Sequence, residues 1–319
     1  MKRFVKFFSF VALFVLVHEF CDTRTDGFCL QKILGKDIPQ NKSWDVSSLV
    51  ESEDIHKRLS QPYHFLGMGS ECFTFLSEDK QTVIKFFKLD QMRFVYFKRA
   101  WSREDHSDLS HASNQHWLHK MPCPSFLQNY RDRILGIRYF RILNTFTSSK
   151  IAWDHFKEET GLIYLHLNPT DDLHKTLTIY DKLGIRHEVD LDTTHFLLQQ
   201  RADLVEETFK KLHKQGSEEQ AKECIDSLIH LIVSRCQKGI FDRDPIIEQN
   251  FGFIGNKAIE IDVGSFSLNP EVQKKAMILQ TLHAEILPLQ TWLKEKRYVY
   301  LENYLQERLK HISFQLNEQ

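Results

Sequence analysis

Four polar side chains in the second half of the chain have types and spacings that could do chemistry. They lie in GIFDRDPIIEQNFGFIGNKAIEIDVGSF, residues 239–266, as Asp242, Asp244, Asn250 and Asp262. Carboxylate and amide oxygens suit a hard cation such as Mg²⁺, and a carboxylate can also take a proton from a hydroxyl. The alternative is that these residues only form turns, in which Asp, Asn and Gly are common.

A helix and a hairpin should position these polar residues. Residues 217–220 have the form of a capping box, and apolar residues recur every three or four positions from 221 to 236, which predicts a largely buried helix. Gly239 would cap its C-terminus. Two short apolar runs around a Gly-Asn turn, 251–254 and 257–261, predict a hairpin that ends at the Asp-Val-Gly triplet.

A second candidate region lies upstream, in three short strands predicted to end at Leu66, to cover 73–76 and to cover 82–87. Gly67 and Gly69 lie at the first turn, where glycines let backbone amides approach phosphate oxygens. Lys85 lies in the apolar third strand, where a buried ammonium needs a partner such as a nucleotide phosphate. The alternatives are a plain hairpin turn at the glycines and an edge strand that turns the lysine to solvent.

Taken in order, these segments resemble the protein kinase family. LGMGSEC followed by VIKFFK resembles the glycine-rich loop and the lysine strand, and the triplet at 242–244 resembles His-Arg-Asp with its first residue changed. Asn250 resembles the catalytic-loop asparagine, and the triplet at 262–264 resembles Asp-Phe-Gly with valine in the middle. The chain departs from the pattern in having Cys72 for the third loop glycine and one extra residue before the asparagine.

The resemblance implies an α+β, bilobal protein-kinase-like fold that binds ATP and Mg²⁺. In such a fold Lys85, with Gly67 and Gly69, would contact the nucleotide phosphates. Asn250 and Asp262 would bind Mg²⁺, and Asp244 would orient or deprotonate an acceptor hydroxyl. An acid expected to pair with the lysine falls in the predicted helix 140–161, and the candidates for it are Asp154, Glu158 and Glu159.

The resemblance also suggests domain limits. An antiparallel β N-lobe would cover 56–200, with further strands at 162–167, 176–180, 186–191 and 195–200 and an insertion at 91–139. A reduced helical C-lobe would cover 201–319, because only 55 residues follow Gly264 and their apolar stripes predict helices at 270–286, 290–296 and 298–314. The insertion contains four histidines that could suggest a metal site but have no recognised ligand spacing: His106, His111, His116 and His119.

The N-terminus predicts export or membrane attachment. Three basic residues precede an apolar run at 7–17, so residues 1–20 are interpreted as a signal peptide or signal anchor, and 21–55 as a tether. The chain has 42 basic and 43 acidic residues, which gives no indication of nucleic-acid binding. Its six cysteines are scattered, which favours buried thiols over a disulfide framework.

Two functions are consistent with these features. The first is an ATP- and Mg²⁺-dependent phosphotransferase that acts on a protein or a small hydroxylated substrate. The second is a catalytically weak or inactive, pseudokinase-like binding module that is tethered at a membrane and uses the insertion to bind a partner. The complete set of Lys85, Asp244, Asn250 and Asp262 favours the first, and the export-like N-terminus favours the second.

Overall fold

The computed structural model describes residues 2–34, 40–46, 53–89 and 142–318. Within these ranges the chain is a mixed α+β protein, as the sequence predicts at this level. The strands are β1 (Tyr63–Met68), β2 (Cys72–Ser77), β3 (Thr82–Phe87), β4 (Leu162–His166), β5 (Thr176–Tyr180), β6 (Arg186–Asp190), β7 (Phe196–Gln200), β8 (Asp203–Leu204), β9 (Ile240–Asp242), β10 (Phe251–Ile254), β11 (Lys257–Glu260) and β12 (Phe266–Leu268). The helices are α1 (Lys2–Thr25), α2 (Glu53–Arg58), α3 (142–155), α4 (Lys157–Thr160), α5 (Val205–Gln215), α6 (Glu218–Gln237), α7 (Ile247–Asn250), α8 (Lys275–Glu295) and α9 (Val299–Glu318). The 3-10 helices in the described ranges are Leu30–Lys32, Lys42–Trp44 and Pro270–Gln273.

The largest sheet has seven strands in the order β4-β7-β3-β2-β1-β5-β6. Antiparallel pairs join β1 to β2 and β5 to β6, and a short parallel pair joins β1 to β5. Two small sheets have the orders β11-β10-β8 and β12-β9. The predicted strands agree with these bounds to within one or two residues, because the runs of aromatic and β-branched residues are clearly bounded by turns.

The described residues divide into two compact units. Within the described ranges, the first comprises 2–34, 40–46, 53–79, 84–89, 142–144 and 166–196, and the second comprises 80–83, 145–165 and 197–318. The insertion at 91–139, with its four histidines and Cys123, lies outside the described residues.

Aromatic rings form the core of the first unit. Phe28 packs edge-on against Phe73 and Phe75, with ring centroids 5.2 and 5.3 Å apart. Phe75 also packs against Phe65 and Phe86. Edge-to-face contacts of this kind add to the free energy gained by burying the rings. The segment predicted as a tether therefore contributes buried residues to this unit, among them Phe28, Ile33 and Trp44.

Helices and the β10-β11 hairpin form the core of the second unit. Helix α6 buries the apolar stripe predicted from its sequence, and α9 buries Leu301, Leu305 and Leu309 as predicted. The expected capping box is not formed, since the N-cap Ser217 makes no side-chain cap bond. The expected break near residue 287 is wrong. Helix α8 continues through Pro288 because the flanking Ile286, Leu289 and Leu293 stay buried on one face.

Among the described residues, no helix is both long enough and apolar enough to cross a membrane. The interpretation of residues 1–20 as a signal peptide or signal anchor remains a prediction.

Gly252→Ala should destabilise the second unit. A Cβ at Gly252 would lie 2.8 Å from the carbonyl oxygen of Asp203 and 2.9 Å from the Cβ of Ala202. We expect a loss of about 1–3 kcal/mol in the free energy of unfolding, the usual cost of overpacking, measured by urea denaturation of the full chain. Gly69→Ala is the matched control, because its added Cβ has no neighbour within 4 Å. Equal stability of the two variants would contradict this packing.

Candidate functional site

Helix α6 leads directly into the first polar loop. The helix ends at Gln237, and Gly239 then takes a positive φ of 72°, a conformation that costs glycine little. Strand β9 follows and pairs antiparallel with β12, which places Asp242 opposite Phe266. The helix, the glycine and the loop thus occur as the sequence predicts, and β9 brings the start of this loop beside the residues that follow the Asp-Val-Gly triplet.

Asn250 links the two polar loops of the second unit. Its side-chain amide donates to the carbonyl oxygen of Asp244 at 2.6 Å. Its own carbonyl oxygen accepts from the backbone N–H groups of Ile261, at 2.7 Å, and Asp262, at 3.4 Å. Three of the predicted site residues, Asp244, Asn250 and Asp262, are therefore joined by one short hydrogen-bonded path.

The Asp-Val-Gly triplet is held by its own side chain and by helix α3. Oδ1 of Asp262 accepts from the backbone N–H of Gly264 at 2.9 Å, which forms an Asx turn. From α3, the hydroxyl of Ser148 donates to the carbonyl oxygen of Val263 at 2.6 Å and accepts from the N–H of Phe266 at 2.5 Å. Val263 itself is buried, at 3% exposure.

The three joined residues differ in their exposure to solvent. Asp244 is exposed, Asp262 is half-buried, and Asn250 is 7% exposed. Because the amide nitrogen of Asn250 is used toward Asp244, its Oδ1 is the atom left to act as an acceptor. A carboxylate and an amide oxygen suit Mg²⁺ that arrives with a nucleotide, since such a cation needs only one or two protein ligands.

Among the residues in the described ranges, no group of three or more His, Cys, Asp or Glu is arranged to bind a metal ion by itself.

The fully buried guanidinium of Arg235 contacts the ends of the strands that precede these loops. Arg235, near the end of α6, has an exposure of 0%, and its Nη1 lies 2.5 Å from Oε1 of Glu260 and 3.7 Å from Oδ2 of Asp242. Its Nη2 forms an ion pair with Glu285 on α8. A buried charge must be paired to be tolerated, and here one cation faces three acids.

Burial is the main cause of the raised pKa values of two of these acids. Burial raises the pKa of Glu260 well above its usual range, and Arg235 opposes this shift. Burial likewise raises the pKa of Glu285 to about 7, again against the effect of Arg235. Protonation of either glutamate lowers the negative charge that must be buried beside Arg235.

The first unit contains the remaining predicted residues. Gly67 lies within β1, next to a shift in the β1-β2 register, rather than in the predicted turn, and Gly69 follows the strand. Neither has a positive φ, and a Cβ added at either would meet nothing within 4 Å. The turn is held by Lys88, whose ammonium donates to the carbonyl oxygen of Gly69 at 2.6 Å.

Lys85 lies on a central strand. Strand β3 has β2 on one side and β7 on the other, so the alternative of an edge strand does not apply. The lysine is half-buried between the fully buried residues Ile84 and Phe86.

Of the three acids considered as partners for Lys85, Asp154 lies in α3, and Glu158 and Glu159 lie in α4. All three belong to the second unit. Asp154 forms an ion pair with Lys150 at 2.6 Å, and Glu159 forms one with Lys238. Glu158 is exposed. The predicted helix 140–161 is interrupted at Phe156, which separates α3 from α4.

No protein-family model and no curated protein sequence matches the chain.

Sequence reasoning missed the members of the buried cluster. Arg235 follows Leu228, Leu231 and Ile232 at helical spacing, so it falls on the apolar stripe of α6. A charged residue on a buried stripe requires a partner, and this was the available signal. Glu260 and Glu285 are distant in sequence, and nothing in their local pattern identifies them as those partners.

Glu285→Gln should change the pH dependence of stability. The folded state holds a proton on Glu285 up to about pH 7, whereas the unfolded chain releases it near 4.5. The native state therefore binds more protons between these values, and stability falls as pH rises through this window, by up to about 1 kcal/mol per unit. The glutamine variant should show a flatter decline in urea denaturation at pH 5, 6, 7 and 8.

The matched control is Glu307→Gln, which removes an acid from an exposed position on α9. It should keep the wild-type slope. Parallel curves for wild type and Glu285→Gln would show that Glu285 does not retain its proton.

Proposed function

We propose that the chain is an ATP- and Mg²⁺-dependent phosphotransferase with a bilobal, protein-kinase-like fold. The observation that carries this proposal is the hydrogen-bonded path from Asp244 through Asn250 to Asp262. This path joins residues that are up to eighteen positions apart in sequence. Two carboxylates and an amide are the side chains that phosphoryl transfer uses, because that reaction depends mainly on positioning and charge neutralisation.

Each polar residue of the second unit has a proposed role. Asp262 and Oδ1 of Asn250 would hold the Mg²⁺ of the nucleotide complex, and that cation would neutralise the phosphate charge. Asp244 is exposed, as a group must be to reach an acceptor hydroxyl. It takes the hydroxyl proton as the acceptor oxygen bonds to the γ-phosphorus and the bond from that phosphorus to ADP breaks.

Residues of the first unit are assigned to the nucleotide phosphates. Packing does not explain Gly67 and Gly69, because a side chain at either would meet open space and neither backbone needs a positive φ. Contact of the backbone with a phosphate would account for both glycines. Lys85, half-buried on a central strand, supplies the positive charge.

A second candidate is a pseudokinase-like module that binds nucleotide or a partner without turnover. It is favoured by the ion pairs of Asp154 with Lys150 and of Glu159 with Lys238. Two of the three acids considered as partners for Lys85 are thus engaged elsewhere. The acceptor of the active form is a protein or a small hydroxylated molecule.

Mg-ATP should stabilise the full chain against heat. A ligand that binds only the folded state adds about 2.7 kcal/mol when its concentration is a hundredfold above Kd. The thermal shift should need Mg²⁺ and should be lost in Lys85→Ala and in Asp262→Asn. Lys57→Ala and Asp171→Asn, at exposed positions, are the controls and should shift like wild type. No shift of the wild type at millimolar Mg-ATP would refute nucleotide binding.

Asp244→Asn should separate turnover from binding. The variant keeps the backbone carbonyl that Asn250 uses, so its Mg-ATP thermal shift should equal that of wild type. ADP formation from Mg-ATP, with water or added alcohols as acceptors, should fall by about 10²- to 10⁴-fold. Glu248→Gln, in the same segment, should keep wild-type activity. A wild type that binds Mg-ATP but forms no ADP would favour the binding module.

A further inference from the structure

One acceptor atom, Oδ1 of Asp242, links two loops. One loop carries Asp244, and the other carries Ser265, the residue after the Asp-Val-Gly triplet. Oδ1 of Asp242 accepts the backbone N–H of Asp244 at 3.0 Å and also the hydroxyl of Ser265. Ser265 in turn accepts, at its carbonyl oxygen, from the backbone N–H and the Nε of Arg243, at 3.4 and 3.0 Å. The two loops are therefore joined in both directions by side chains as well as by the β9-β12 pair.

The other oxygen of Asp242 faces the buried cluster. Oδ2 lies 3.7 Å from Nη1 of Arg235, and the same nitrogen contacts Glu260. Asp242 is the last residue of β9, and Glu260 is the last residue of β11, two residues before Asp262. The guanidinium of Arg235 thus contacts the last residues of β9 and β11, the strands that precede the two polar loops. Since Oδ2 of Asp242 faces this guanidinium, its Oδ1 is directed toward the loops.

We propose that Asp242 is a positioning residue that sets the distance between Asp244 and the Mg²⁺-binding residue Asp262, with Ser265 as its second contact. The inference rests on the proposed function for the identity of the ligand. Asp242 is 3% exposed, and its two oxygens face the loops and Arg235, so we assign it a role through the loops rather than a contact with substrate or metal. Mg²⁺ demands near-ideal geometry, and small displacements of groups around a reacting centre are costly.

Asp242 positions the loops through the hydrogen bonds that its Oδ1 accepts, and not through its charge alone. Both groups at Oδ1 are donors, so the loops require an acceptor oxygen at this position. Asparagine provides such an oxygen and alanine does not. Ser265→Ala removes one of the two donors and leaves the carboxylate in place.

The test measures how much Mg²⁺ the full-length chain needs for half-maximal ATP-dependent stabilisation at a fixed, saturating ATP concentration. Asp242→Ala and Ser265→Ala should raise this concentration about tenfold or more, as loss of a supporting contact does at metal sites. Asp242→Asn should stay within about threefold of wild type. Ser267→Ala is the matched control, because its hydroxyl, 3.4 Å from the carbonyl oxygen of Phe241, touches neither loop.

Hydrogen exchange provides a readout that does not need nucleotide. The amide of Asp244 donates to Asp242, so its exchange should be faster in Asp242→Ala and unchanged in Asp242→Asn and Ser267→Ala. The amide of Gly264, bonded to Asp262, reports on the second loop. It should also exchange faster in Asp242→Ala and in Ser265→Ala.

The possible results are distinguishable. Wild-type Mg²⁺ requirements in folded Asp242→Ala and Ser265→Ala would overturn the positioning role and leave the proposed function intact. If wild type shows no response to Mg-ATP, the proposed function fails, and unchanged exchange of the Asp244 and Gly264 amides would then overturn the positioning role as well. If Asp242→Ala does not fold, Ser265→Ala and Asp242→Asn decide the question on both measurements.

Discussion

The second unit depends on how one buried cation is balanced. Arg235 has no contact with solvent, and its partners come from three different elements: Asp242 from β9, Glu260 from β11 and Glu285 from α8. Removing Arg235 from this group would leave buried acids without a counter-charge, whereas apolar replacement of a whole buried ionic group is often tolerated. The interaction therefore constrains where the helix, both strands and α8 can lie, and so where the polar loops begin.

The first unit is organised differently. Its core consists of packed aromatic rings, and Phe28, from the segment after α1, is at the centre of that packing. The two units thus obtain their order from different sources, aromatic burial in one and a paired charge cluster in the other. In both, the polar residues of interest lie beside a rigid element: Lys85 in a central strand, and Asn250 beside a helix and a hairpin.

The sequence predicts those parts of the structure whose causes are local. The apolar stripe of α6, the β10-β11 hairpin and the β1, β2 and β3 strands follow from periodicity and turn residues, and all are present. The elements between Asp244, Asn250 and Asp262 are short, and these three residues lie on one hydrogen-bonded path. The convergence of Lys85 with them stays a prediction. Features that depend on tertiary packing could not be predicted from the sequence. Helix α8 continues through Pro288 because the residues around it are buried, and the acids around Arg235 come from remote segments.

The contacts of Ser148 bear on the order in which the second unit folds. Val263 and Phe266 flank a bend, and the Ser148 hydroxyl bonds to both, since it donates to the carbonyl oxygen of Val263 and accepts from the N–H of Phe266. The bend is therefore held by a residue 115 positions earlier in the chain. Contacts across such long stretches form late, because loop closure comes first at an entropic cost. We expect the Asp-Val-Gly segment to be among the last parts of the unit to reach its native conformation.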